Sequence, residues 1–377
     1  MRAMPEQLSW EQVRAWRLRR HHLAERAPRK QLLDVVRSTC GLHAQVMSSA
    51  ELTLWARVDG LRPGDLSKAL WEKRRLVKTW AMRGTLHLLP ADELPMWIAG
   101  FSTYDHYLKG AWFKAFGLTH EELEALIDAV GEALAGEPLT RVELAEAVTT
   151  ATGDASLGEK LSESWGAYLK PAAFRGRLCF APDRGRNVCF TRPDRFVKPL
   201  GRVGPDAALA DITRRWLGAY GPGTREDLAR WWGLQSAARA GKMLDALGHE
   251  VVEVDVEGRQ LRMLAADAED AAAVSPARSA VLVPGFDQWV VGAARGEAAL
   301  LDPAEKARVY RQAGWISAAL LVNGRIEGVW RHERRGRRLE VELEPFGRLP
   351  AWARRGAEQE AERLRDFFGG ELTLSWA

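Results

Sequence analysis

The period of the apolar positions changes several times along the chain, and the changes come in a recurring order. Ser9-Trp10-Glu11-Gln12 has capping-box form and predicts a helix from there to about Arg20. Leu32, Leu33, Val35 and Val36 fall at helical spacing within 29–39. After a break at 41–45, helices are predicted over 49–57 and about 65–73. In the run LVKTWAMRGTLHLL, starting at Leu76, the period drops to two. Val77, Thr79 and Ala81 alternate there with Lys78, Trp80 and Met82. Arg83-Gly84 supplies a turn, and 85–89 a return strand. Short helices closed by a hairpin are the layout of a winged helix, in which the helix before the hairpin usually enters the major groove.

The same order returns twice. TRVELAEAV at 140–148 matches TREDLARWW at 224–232. Both open with a capping box, Thr140 with Glu143 and Thr224 with Asp227. The first is followed by a helical segment over 156–175, then strands at 178–182 and 187–193 joined by the turn 183–186. The second is followed by a helix over 236–247, then EVVEVDVEG and RQLRML. A shared downstream order makes an internal repeat the simplest reading: three winged-helix units in series. From about Ala277 the pattern is mostly strand: SAVLVP, WVVG, AALLVNGRIEGVWRHE, RRLEVELEPF and ELTLSW. Asn323-Gly324 and Arg335-Gly336 mark hairpin turns, and a helix over 351–367 interrupts. So many short strands suit a small β-barrel or curled sheet, which hides their edges. The expected fold is α+β, with winged-helix domains at 1–118, 119–200 and 201–276 followed by a β-barrel at 277–377.

Composition narrows the class. With 46% apolar and 28% charged residues, the 377-residue chain reads as globular rather than disordered, and long enough for several domains. Cys40, Cys179 and Cys189 show no paired spacing, which argues against a disulfide framework or zinc site and for a reducing compartment. The first twenty residues have no apolar core of a signal peptide, and no apolar run is long enough to span a bilayer. A cytoplasmic monomer with no membrane partner is expected. The net charge of +4 says little, but its distribution says more. Lys170 to Lys198 carries eight Lys/Arg against two acids, and Glu250 to Ser275 seven acids against two arginines. A basic block facing a polyanion suits a nucleic-acid binder, although a solvated surface gives the same counts.

Four places can carry chemistry. His43-Ala44-Gln45 lies at a helix–helix junction. If extended there, residues i and i+2 project together, so His43 and Gln45 can polarise and position one water. The alternative is a loop histidine with a satisfied hydrogen bond. The first hairpin carries Lys78, Trp80, Arg83, Thr85 and His87, with the last three expected on one face. They suit phosphate and groove contact, or else guard a sheet edge. Arg175, Arg177, Arg184 and Arg186 belong to the basic block. The tip 331–338 holds five arginines, Arg331, Arg334, Arg335, Arg337 and Arg338, against one glutamate, which suits a groove or phosphate row as well as a solvated hairpin. Asp287, in Pro284-Gly285-Phe286-Asp287-Gln288-Trp289, is a possible site acid or a turn aspartate bonding its own backbone. No GxxxxGK[ST], HExxH or Gly-rich dinucleotide fingerprint is present.

Taken together, GLHAQ (41–45), LVKTWAMRGTLHLLP (76–90), LKPAAFRGRLCFAPDRGRNVCFTRPD (169–194), VPGFDQWVVGAAR (283–295) and GWISAALLVNGRIEGVWR (314–331) resemble the crosslink-repair DNA glycosylase family of YcaQ/AlkZ type, over nearly the whole chain. The resemblance implies three tandem winged helices plus a C-terminal β-barrel around duplex DNA. It also implies monofunctional release of N7-alkylated purines, in some members unhooking of interstrand crosslinks, and no cofactor or metal. The family's Gln-x-Gln or Gln-x-Asp catalytic motif falls on His43-Ala44-Gln45. The second position matches one form, and at the first His stands in place of Gln. The resemblance makes damaged double-stranded DNA the expected partner. A non-enzymatic winged-helix protein, a transcription regulator or damage sensor, is the alternative.

Overall fold

The computed structural model describes residues 6–377 apart from 164, 165, 235 and 293–295. The first five residues of the signal-peptide reading, the middle of the expected 156–175 helix and the end of the 283–295 motif lie outside the described residues. The fold is mixed α/β, in two compact units. One comprises 1–66, 213–231 and 237–377, and the other 67–212 and 232–236.

In the first unit the Trp10–Arg20 helix starts at the expected cap. Ser9 accepts from the Gln12 backbone N–H and the Gln12 side chain accepts from Ser9 N–H. The Glu6–Leu8 strand before it pairs in parallel with Val251–Val256, which is antiparallel to Arg259–Leu264. Leu8, Trp10, Val13 and Trp16 thereby share a core with Val254, Val256, Leu261, Met263 and Ala271, some 240 residues later in sequence. No local pattern announces that packing. The chain then runs through Leu32–Ser38, the two-residue strand Leu42–His43 and the Met47–Trp55 helix.

The C-terminal strands form one five-stranded sheet in the order Ala280–Val283, Ala318–Val322, Arg325–Arg335, Arg338–Pro345, Glu371–Trp376. Its two outer strands do not pair with each other among the described residues, so the sheet is open where a closed barrel was expected. The Ala351–Phe368 helix lies along both outer strands and buries Ala353, Ala357, Ala361 and Leu364 at helical spacing. Asn323 (φ 49°) and Gly324 (φ 75°) make the anticipated tight turn. WVVG is not a strand: Gln288–Gly292 is a buried helical turn. A four-residue apolar run has no period that distinguishes the two.

The second unit holds the hairpin Leu76–Trp80/Leu86–Pro90, then the His120–Ala133, Arg141–Thr152 and Ala155–Glu163 helices, then Cys179–Arg184/Asn187–Thr191. Thr140 and Glu143 cap reciprocally, and in the first unit Thr224 and Asp227 do the same at the start of Arg225–Trp232. No helix among the described residues is long and apolar enough to cross a membrane.

His21 yields a pH prediction. It is buried against the edges of Tyr220 and Trp289, with Nε2 donating to Ala219 O at 2.9 Å. Burial, and then the nearby Arg57 charge, hold its imidazole well below the usual range. The unfolded chain therefore takes up a proton below about pH 6.5 that the folded chain refuses, and stability falls as pH drops through that value. The slope for this one group approaches about 1.4 kcal/mol per pH unit. Urea unfolding at pH 7 and 5 should show it, and His21→Gln should remove that component.

Candidate active site

The junction between the Leu32–Ser38 and Met47–Trp55 helices is a sharp reversal. Cys40 (φ 58°) and Gly41 (φ 92°) turn the chain, and Leu42–His43 leaves it extended. His43 is 6% exposed, and Gln45, two residues on, is exposed.

The loop at 284–289 fixes this junction from 240 residues away. The Phe286 ring stacks on His43 with centroids 5.1 Å apart and planes within 4°. Such contact restrains the imidazole plane, so its two nitrogens keep set directions. Gln288 Nε2 donates to Gly41 O, immediately before the strand. Tyr220 Oη donates to Thr39 O at 3.0 Å.

Asp287 holds the loop in place. It is fully buried and takes two hydrogen bonds from fully buried Arg57, Nη1 to Oδ2 and Nη2 to Oδ1, each 2.7 Å. Asp287 Oδ1 also accepts from Trp289 N–H at 2.8 Å, and Arg57 Nη1 donates to Thr53 O at 3.0 Å. The bond to Trp289 is the turn aspartate's own-backbone contact. As a site acid Asp287 is corrected: its two oxygens are committed to Arg57 and the turn, and none of its surface reaches solvent.

The expected DNA-contact residues divide by burial. Trp80 and His87 are core residues. Trp80 packs on Phe180 and Phe190, at 4.9 and 6.3 Å, and His87, wholly buried, bonds Thr85 O through Nδ1 at 3.1 Å. The single face expected for Arg83, Thr85 and His87 does not form, because the turn Met82–Gly84 places Arg83 at φ 60° and the return strand starts at Leu86. Arg83 and Thr85 are half-buried. Lys78 lies 5.2 Å over the Phe180 ring, and burial lowers its ammonium's affinity for its proton.

Several arginines of the basic block already have partners. Arg175 makes a two-pronged pair with Glu124, Arg177 meets Asp128 at 3.4 Å, and Arg184 bonds Glu143. On the C-terminal hairpin Arg331 pairs with Glu342 and Arg335 with Glu333, while Arg334 lies 5.8 Å over Phe368. Arg186 and Arg337 are exposed. Exposed pairs of this kind are weak and exchange readily for a phosphate.

Sequence reasoning missed Arg57, Gln288 and Tyr220. Each acts across 180 or more residues; Gln288 lies in the 283–295 motif, but nothing local singles it out.

The fold is shared with a protein of known class. The chain is similar to the solved structure of Streptomyces sahachiroi DNA glycosylase AlkZ: TM-score 0.91, 36% identity, 98% of this chain and 100% of that one. It is also 38% identical over 326 residues to an interstrand DNA cross-link repair glycosylase from the same organism, covering 85% of this chain and 87% of that protein. These place it in the class of DNA glycosylases, enzymes that hydrolyse N-glycosyl bonds.

The DNA glycosylase AlkZ-like family model matches residues 36–367, a span that includes His43, Gln45, Arg57 and Asp287. The chain belongs to the AlkZ-like DNA glycosylase family.

Proposed function

We propose that this enzyme hydrolyses the N-glycosidic bond of cationic N7-alkylpurines in duplex DNA, bulky adducts and interstrand crosslinks included, with His43 and Gln45 handling the water. The carrying observation is a restrained imidazole two residues from an exposed carboxamide, at the family's motif position. An N7-alkylguanine is already positively charged, so it departs without a strong general acid. Its C1′–N9 electron pair stays with the base, which leaves neutral. Gln45 orients the water, and His43 accepts the water's proton as the oxygen bonds C1′. The products are the free base and an abasic site. A large adduct does not fit a tight pocket, so complete flipping of the base is not required.

We read the helix-and-hairpin units as winged helices that hold the duplex as a monomer, at about 1–118, 119–200 and 201–276, with 277–377 as the C-terminal domain. The arginines of the basic block, those of the 331–338 hairpin, and Lys78, Arg83 and Thr85 serve the phosphates. The relative's name, a crosslink-repair glycosylase, supports the bulky end of the substrate range.

Two measurements separate this reading from a winged-helix regulator. A glycosylase leaves alkali-labile abasic sites in N7-methylguanine duplex and binds with little sequence preference. A regulator protects half-sites of one sequence and releases no base. Affinity should fall steeply with salt, and Arg186→Ala with Arg337→Ala should reduce the log–log slope by about 0.9 for each phosphate these arginines neutralise. An unchanged slope would mean that neither arginine meets the DNA.

A further inference from the structure

Trp315 is the one exposed Phe, Trp or Tyr among the described residues, at 51%. Exposure of a single ring means little by itself, but a tryptophan face open to water can take a planar ligand. This ring is joined to the site just described. It meets Phe286 edge-on with centroids 5.0 Å apart, and Phe286 also stacks in parallel on His43. The His43 and Trp315 ring centres therefore lie within about 10 Å of one another, the two spacings laid end to end.

The turn that carries the ring is tied by hydrogen bonds. Arg311 N–H donates to Trp315 O at 2.8 Å, and Trp315 N–H to Gln312 O at 3.2 Å. Ser317 ties the base of the turn with N–H to Val309 O at 2.9 Å and Oγ to Arg308 O at 2.8 Å. Ala313 (φ 54°) and Gly314 (φ 75°) hold left-handed backbone at the tip. Gly285, before Phe286, packs so closely that a Cβ there would meet Ile316 O at 2.9 Å. All five residues from Arg311 to Trp315 are exposed. The turn leaves the ring open to solvent and carries an exposed cation, Arg311, whose backbone bonds that of Trp315.

We infer that Trp315 is a stacking surface for a nucleobase of the duplex at the lesion, with Arg311 on the adjacent phosphate. It is a positioning residue, and the inference rests on the glycosylase reading for its location beside His43 and Gln45. Aromatic rings take bases of any sequence, because every base has a π-face, and Arg–Trp pairs are common on such platforms. An aromatic side chain can brace the base stack beside a lesion whether or not the damaged purine leaves the helix.

The test is binding, which does not require turnover. The probe is a duplex carrying 2′-fluorinated N7-methylguanosine, whose electron-withdrawing fluorine slows glycosidic cleavage. Parallel duplexes are undamaged or carry a tetrahydrofuran abasic analogue. Trp315→Ala should weaken binding to the damaged duplex by about 5- to 100-fold, the range of one base–aromatic stack. Trp315→Phe should recover most of that loss and Trp315→Leu little, with unfolding midpoints unchanged in all three. A penalty that persists on the abasic analogue assigns the stack to a neighbouring base, and one that disappears assigns it to the lesion base. Equal affinity of wild type and Trp315→Ala for the damaged duplex, or full recovery by Trp315→Leu, would overturn the inference. Absence of base release from the unfluorinated lesion by wild type would instead remove the glycosylase reading and leave the binding comparison standing.

Discussion

Replacing Asp287 by alanine should destabilise the protein by about 3–5 kcal/mol, because it leaves the Arg57 guanidinium buried without its counter-charge. Both side chains have no exposed surface, so water cannot compensate. The substitution also frees the 284–289 loop, since Trp289 N–H is left without this acceptor. Asp287→Asn keeps the shape and should still cost a large part of this, because its amide presents a donor to a guanidinium that is itself all donors. Replacing both partners, Arg57→Met with Asp287→Leu, should recover most of the stability, because the cost belongs to the unpaired charge rather than to the absent pair. Urea midpoints for the four proteins check this. If Asp287→Ala kept wild-type stability while losing base release, Asp287 would act in the chemistry and its anchoring role would be wrong.

How much of this is legible in the sequence follows from the range over which each feature is determined. The capping boxes at Ser9, Thr140 and Thr224 and the Asn323-Gly324 turn involve neighbours three residues apart or fewer, and they stand where the pattern puts them. At His43 the sequence left the backbone open, and the structure makes Leu42–His43 extended. Alternation misplaces Trp80 and His87 because it separates two faces of a strand without saying that protein covers both. Leu76, Val77, Thr79 and Trp80 are all buried. The open sheet reads as a barrel because strand count does not reveal whether the first and last strands pair, and here the Ala351–Phe368 helix packs against both instead. The Arg57–Asp287 pair and the Gln288 bond to Gly41 are invisible in sequence. Their partners are separated by 230 and 247 residues, and an arginine near a helix end or a glutamine after an aspartate is unremarkable. The site's motif is local, and its support is not.

The second large effect is catalytic. Removing a general base costs about 10²–10⁴-fold in rate. On the proposed role of His43 in proton transfer, His43→Ala should fall in that range, with DNA affinity held within a few-fold. Gln45→Ala loses water orientation alone and should cost less, on the order of 10-fold to 10²-fold. His43→Gln should recover part of the rate, because a carboxamide still accepts from and orients water. Since Phe286 stacks on the ring, the unfolding midpoint of each variant must be compared first, and a modest decrease for His43→Ala is expected.

The most direct measurement is single-turnover release of N7-methylguanine from duplex DNA by wild type, His43→Ala and Gln45→Ala, at enzyme concentrations that saturate the DNA. Wild type should give free base and an equal yield of abasic sites, and His43→Ala should reduce the release rate about 10²-fold or more with the DNA still bound. Release by His43→Ala at the wild-type rate would contradict the role of His43 as the base that takes the water's proton.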